Sequence, residues 1–306
     1  HATLAREAGA LGFLAVLVAF SWNAKAPDPA RLVRRGFYGI LKVTEVPGAE
    51  AHVALMHGRI VHGIQLLAEE RRLEPTTYYG RASGVALALE HHPRRAAGEP
   101  LRVGVVGLGV GTLAAYARPG DTLRFYEINP EVVSLAEGEG GYFDFLKRSA
   151  GKVEVVLGDA RISLERELRE GGPQRFDVLV VDAFSSDSIP AHLLTLQAFE
   201  LYRRHLAPGG VVAIHTSNRF LELEPIVWRL AERAGLRAGS VTNPEEGEKL
   251  VFISDWTLLG AEEGFFSSPA VSQALRQDVP PASSAVWTDD YAPLLTALPA
   301  QAVSER

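Results

Sequence analysis

The chain contains no cysteine, which removes thiol nucleophiles, disulfides and cysteine-ligated zinc together. Cysteine usage therefore says nothing about redox compartment. Histidines occur singly or as His91-His92, and no His-Glu-x-x-His or comparable ligand spacing is present, so no metal is expected. Neither sign of charge dominates: the net charge is -6 and no long basic run occurs, which argues against nucleic acid as a partner. The mild acidic excess suits cationic substrates. No internal repeat or low-complexity tract is evident. With 306 residues and 47% hydrophobic content, the chain can bury a full core in one large or two smaller domains.

The first 35 residues stand apart. Residues 8–24 carry no charge, are dominated by Leu, Val, Ala and Phe, and sit at the short edge of a membrane span, for which about 17 to 25 residues are needed. Arg31, Arg34, Arg35 and Lys42 follow, so the positive-inside tendency would place the rest at the cytoplasmic face, anchored to the membrane through this segment. A signal-peptide core and a helix buried at a subunit interface are the alternatives. The chain begins at His1, and is read as a piece of a longer protein.

Residues 36–90 show short alternating runs with a hairpin turn at His57-Gly58-Arg59, which read as a small antiparallel β domain followed by a helix. Residues 91–100, HHPRRAAGEP, read as a linker. From residue 101 to 306 apolar runs and helical patterns alternate, which specifies a mostly parallel sheet covered on both faces, an α/β Rossmann-like domain. Late strands are expected over 211–215 and 250–254.

The stretch that organises this domain is LRVGVVGLGVGTLAAYARPGDTLRFYEINPEV, residues 101–132. A β-branched strand runs into Gly107, Gly109 and Gly111, where the backbone must turn sharply and admit a ligand without a Cβ in the way. A short helix over 112–117 would point its N-terminus back at that ligand. Glu127 ends the next strand about twenty residues past the first glycine, the distance at which an acid reaches a ribose diol. A dinucleotide fingerprint wants its third glycine one residue later, where Thr112 stands, so the pattern suits a nucleoside without a pyrophosphate, as in S-adenosylmethionine-type enzymes. Glycines after a strand can also be tight turns and nothing more.

Ligands of such sheets lie beyond the carboxyl ends of the strands. Asp159, followed by Ala160, is placed there to accept from an adenine amine, or to cap the helix that starts at Ala160. Asp182 ends a fully apolar strand, and the polar loop after it carries Asp187. Two carboxylates at the mouth of a nucleoside pocket can bind a protonated amine and then take a proton from it. Capping and turn formation are the ordinary alternative. His215 and Asn218 follow another strand end and are candidate amine contacts.

These motifs resemble the spermidine synthase (polyamine aminopropyltransferase) family, most closely its membrane-fused bacterial branch. GLGVGT is similar to its glycine motif, YEINPEV to its ribose-acid segment, GDAR to its adenine-contact segment and DAFSSDSIPAHLLT to its catalytic loop. HGRIVHGIQ, PTTYYG and WTDDYAPLL look like further elements of it. The resemblance covers residues 36–295 and implies a β-stranded N-terminal domain, a methyltransferase-type Rossmann-like domain and a homodimer. It implies that Gln65 and Tyr79 line the donor and amine pocket, that Glu127 holds the ribose and that Asp159 and Ala160 meet the adenine. It also implies Asp182 as the base, Asp187 as a second amine ligand and Asp290 as a pocket residue. The expected reaction moves an aminopropyl group from decarboxylated S-adenosylmethionine to a small polyamine of the putrescine type, releasing methylthioadenosine. Val110 stands where the family usually carries an aspartate, and leaves open methyl transfer from intact S-adenosylmethionine, another cleavage at the sulfonium, or a non-catalytic sensing domain.

Overall fold

The computed structural model describes residues 30–183, 190–276, 278 and 285–298. The apolar segment 8–24 and Asp187 lie outside the described residues. Among the described residues no helix is long and apolar enough to cross a membrane.

Four antiparallel strands come first, β1 (Ala30–Gly36), β2 (Gly39–Val46), β3 (His52–His57) and β4 (Ile60–Leu66), paired in that order. Helix α1 (Gly84–Glu90) follows and is buried along almost its whole length, with the Ser83 hydroxyl accepting from Ala86 N at its start. The second sheet has seven strands: β5 (Arg102–Val106), β6 (Thr122–Glu127), β7 (Lys152–Leu157), β8 (Phe176–Val181), β9 (Leu206–His215), β10 (Arg237–Asn243) and β11 (Ser254–Gly260). Their spatial order is β10-β11-β9-β8-β5-β6-β7. The five strands from β9 to β7 are parallel, and β11 runs antiparallel to both neighbours.

The pattern of β8 explains why this sheet is covered on both faces. All six of its residues are buried; Val178 and Val180 enter the core shared with α1, while Leu179 and Val181 enter the core on the other side. That second core is closed by α3 (Ala160–Glu170), α4 (Leu196–His205) and α5 (Glu224–Arg233); α2 (Pro130–Ala136) belongs to the first. The chain builds outward from β5 to β7 and then returns to β8 on the other side of β5. The switch point of the sheet therefore lies between β5 and β8, where a crevice opens beyond the strand ends.

Two expectations are revised. Residues 112–117 form a 3-10 turn (Thr112–Tyr116) instead of a helix, since the chain must extend again before Pro119. Residues 250–254 are not a strand of the sheet. Leu250 takes a left-handed conformation, and Val251 and Phe252 pair with Thr77, where the Phe252 N–H donates to the Thr77 carbonyl at 2.8 Å. The strand instead begins at Ser254, and its partner β10 carries Gly239 and too little apolar alternation to stand out.

The stretch 91–100 contains a helical turn (Pro93–Ala96) whose Arg95 side chain is buried. Its guanidinium donates to Asp121 Oδ1 at 2.8 Å, and Asp121 also accepts from the backbone of Leu101 and Arg118. Burial alone would raise the Asp121 pKa, but these donors outweigh it and hold it below the usual value. The stability it contributes is present above the ordinary aspartate range and lost as pH falls through the depressed value. Asp121→Asn strands a buried guanidinium and is expected to cost about 3 to 5 kcal/mol, readable as a lowered urea midpoint at pH 7 that converges on wild type in acid.

Candidate active site

Two loops meet at the switch point. After β5, Gly107 and Gly109 adopt φ of 98° and 56°, open to glycine and strained for other residues. After β8, Asp182 N donates to the Val106 carbonyl at 2.9 Å, which ties the two strand ends together. A Cβ on Gly107 would overlap the carbonyl oxygen of Asp182, so the glycine is required by the approach of the neighbouring strand as well as by its φ. Gly109 similarly clears the His62 carbonyl, 2.7 Å from where a Cβ would stand. Gly111 faces away: its missing Cβ makes room for Leu146, and it reaches no cavity.

Two adjoining cavities open around these loops, and Asp182, Gly109 and His62 line both. One contains Gly107, Glu127, Asp159 and Ala160. Glu127 accepts from Asn129 N at 2.8 Å and Leu108 N at 3.1 Å, which fixes the carboxylate against the glycine loop. Burial raises its pKa, opposed by those N–H bonds. Asp159 does two things at once: Oδ1 caps α3 by accepting from Ile162 N at 3.0 Å, and Oδ2 lies 3.1 Å from His192 Nε2.

The other cavity, of about 330 Å³, is lined by Tyr78, Tyr79, Asp182, His215, Asn218 and Asp255 among others. Asp182 forms part of its wall. The Tyr79 hydroxyl donates to Oδ2 at 2.6 Å, and His215 Nδ1 lies 2.7 Å from Oδ1. Burial, together with the neighbouring Asp182, raises the Tyr79 pKa well above its ordinary value, so the hydroxyl stays protonated and remains a donor. His215 stacks on Trp256 at 4.6 Å with an interplanar angle of 10°, and its Nε2 lies 3.0 Å from Ser217 Oγ. Ser217 Oγ accepts from Asp255 N at 2.7 Å, which leaves its own hydrogen for the imidazole. An Nδ1–H tautomer satisfies all of these partners. The Thr77 bridge to Val251 and Phe252 holds Tyr78 and Tyr79 over this cavity, so the failed strand at 250–254 serves the site.

The structure thus brings Gly107, Gly109, Glu127, Asp159, Ala160, Asp182, Tyr79, His215 and Asn218 together around one crevice. Gln65 and Asp290 are placed elsewhere. Gln65 is fully buried, donates to the Arg72 carbonyl at 3.0 Å and accepts from Asp144 N at 2.9 Å. Its amide is consumed in joining β4 to Arg72 and to the segment between β6 and β7, and it lines neither cavity. Asp290 is exposed and also lines neither, while its neighbour Asp289 pairs with Arg161 at 2.6 Å and Thr195 at 2.7 Å. Val110 is buried against Gly63, inside the core. Sequence reading missed His62, Tyr78, Ser217 and Asp255. Tyr78, beside Tyr79, and Ser217, between His215 and Asn218, had a local signal; His62 and Asp255 reach the site through a bulge and an antiparallel strand.

No family model matches the chain. Over 121 residues it is 31% identical to a polyamine aminopropyltransferase of Vibrio vulnificus, covering 39% of this chain and 38% of that protein. Over 114 residues it is 29% identical to a probable polyamine aminopropyl transferase of Bifidobacterium longum, covering 36% of this chain and 23% of the relative. Over these segments the chain is similar to polyamine aminopropyltransferases. The matched segments span well under half the length of these curated proteins. The fold agrees over a longer stretch. A probable spermidine synthase from Corynebacterium glutamicum superposes with a TM-score of 0.58 at 18% identity, over 81% of this chain and 86% of that one. Spermidine synthase from Thermotoga maritima gives 0.54 at 14% identity, over 90% and 87%. The small antiparallel sheet followed by the Rossmann-like sheet is therefore the architecture of spermidine synthases.

Proposed function

We propose that this relative of the spermidine synthases transfers an aminopropyl group from decarboxylated S-adenosylmethionine to a small diamine and releases methylthioadenosine. The observation that carries the reading is the position of Asp182, at the junction of a cavity built around a glycine loop and Glu127 and a second cavity walled by aromatic residues. One cavity suits a nucleoside, the other an extended amine, and the carboxylate stands where their reacting ends would meet. Two named aminopropyltransferases among the relatives support it, as does a fold match of TM-score 0.51 to a spermidine synthase in complex with the transition-state analogue AdoDATO.

In this reading the amine binds as a cation and reacts as a neutral nucleophile. Its nitrogen attacks the methylene beside the sulfonium, the carbon–sulfur pair returns to sulfur as a neutral thioether, and the proton leaving nitrogen passes to Asp182. Tyr79 and His215 hold both carboxylate oxygens, so the base is oriented before substrate arrives. In-line positioning supplies most of the rate, because no covalent intermediate is needed. Glu127 would hold the ribose diol, and Asp159 the adenine amine with the oxygen that faces His192. Asp187 is retained as a second amine ligand on family resemblance alone.

A second reading, methyl transfer from intact S-adenosylmethionine, is favoured by Val110, which supplies no acid for a donor ammonium. Incubating the protein with either donor and a panel of diamines, with products identified by mass spectrometry, separates the two. Methylthioadenosine with an amine extended by three carbons is expected. S-adenosylhomocysteine would select the methyl transfer, and the absence of either product would leave a binding module.

A further inference from the structure

His62 has a place in a site in which the sequence reading gave it no role. Along β4 the pairing with β3 runs Leu55 with Gly63 and then Met56 with Val61, so His62 is the extra residue of a β-bulge. A bulge re-aims a side chain and lets successive residues face one way. Here Ile60, Val61 and His62 all line the larger cavity, and His62 alone of the three also lines the smaller one. The Nε2 atom of His62 is buried and has no hydrogen-bond partner among the described residues. A buried polar atom left without a partner costs stability, and on a residue that lines a ligand cavity it points to a bond completed when the ligand and ring settle together.

The surroundings select the chemistry of that ligand. Burial, with His57 5.2 Å away, lowers the His62 pKa to about 4, so the ring is an uncharged imidazole at neutral pH and does not repel a cation. Asp182 shares the junction of the cavities and supplies a negative potential there, which disfavours a carboxylate or phosphate. Val110, the nearest position in the glycine loop at which an acid could stand, is instead packed into the core against Gly63. A donor N–H on a positively charged group therefore fits the vacant acceptor.

We infer that His62 Nε2 accepts a hydrogen bond from a primary ammonium of the ligand at the junction of the two cavities, and that it sets which ligands are held there. The inference rests on the aminopropyl-transfer reading above. Two ligands could bring the ammonium, the tail of the donor or the acceptor diamine, and separate arms of one experiment tell them apart. Calorimetric titration of the whole chain is made with methylthioadenosine, with decarboxylated S-adenosylmethionine, and with putrescine in the presence of saturating methylthioadenosine. His62→Ala is expected to weaken one of the two ammonium-bearing ligands on the order of tenfold, the loss of one hydrogen bond to a charged group, and to leave methylthioadenosine unchanged. His62→Gln, which keeps an uncharged acceptor and guards against a misfolded alanine variant, should recover much of that affinity. Equal loss for all three ligands, or no loss for any, would overturn the assignment while leaving the transferase reading intact. A wild-type chain that binds none of them removes the transferase reading and this inference together.

Discussion

Asp182→Asn is expected to lower turnover roughly 10² to 10⁴-fold, the range over which a positioned general base contributes, while the nucleoside binds as in wild type. The substitution preserves shape and removes only the charge and the ability to take a proton. The site tolerates it sterically: the Tyr79 hydroxyl, which donates to Oδ2, can rotate to accept from the new amide, and His215 can still donate to the remaining oxygen. Glu127 and the glycine loop lie on the other strand ends, so methylthioadenosine affinity reports on the nucleoside half alone. Tyr79→Phe removes one of the two bonds that orient the carboxylate and should reduce turnover by less than the asparagine does. Turnover of Asp182→Asn equal to wild type would exclude Asp182 as the proton acceptor.

Gly107→Ala should abolish nucleoside binding and lower the melting temperature together. Two costs combine. The residue sits at φ 98°, where an L side chain is strained by about 1 to 3 kcal/mol. The added methyl would also overlap the Asp182 carbonyl, which belongs to backbone and cannot rotate aside. Relief requires the ends of β5 and β8 to part, and that opens the bond from Asp182 N to the Val106 carbonyl on which the crevice depends. A destabilisation of about 3 kcal/mol corresponds to a melting shift on the order of 5 °C for a chain of this size. By contrast Gly111→Ala meets Leu146, the end of a flexible side chain, so its cost comes from φ 85° and from repacking away from the crevice. If Gly107→Ala binds methylthioadenosine normally, the loop does not approach a ligand in the way the structure implies.

The antiparallel start, the glycine turn, the acid at the end of β6 and the carboxylate after β8 were legible because each depends on local pattern. Period-two alternation and a turn dipeptide mark a hairpin, and a fully apolar run marks a strand covered on both faces. Strand ends then point to the crevice, since ligands of such sheets gather there. Local pattern failed where long-range contact decides the outcome. LVFIS, residues 250–254, is as apolar as a strand, yet it bridges Thr77 and leaves the sheet to Ser254–Gly260. Arg95, in a stretch with the composition of a linker, is buried because Asp121 waits for it across the fold. Gln65 has the chemistry of a ligand contact, but its amide is spent on Asp144 and Arg72.

By itself the sequence determined the class of the fold, the two layers of strands and the strand ends at which polar residues would be found, because hydrophobic period and turn chemistry act over a few residues. Only the tertiary structure decided which of those polar side chains share a cavity. Pairing β5 with β8 sets Gly107 against Asp182, the return of β9 beside β8 brings His215 to the same carboxylate, and a single bulge in β4 turns His62 toward both cavities. Those contacts join residues tens to more than a hundred positions apart. Strand order and register select them, and neither is written in the local alternation of the chain.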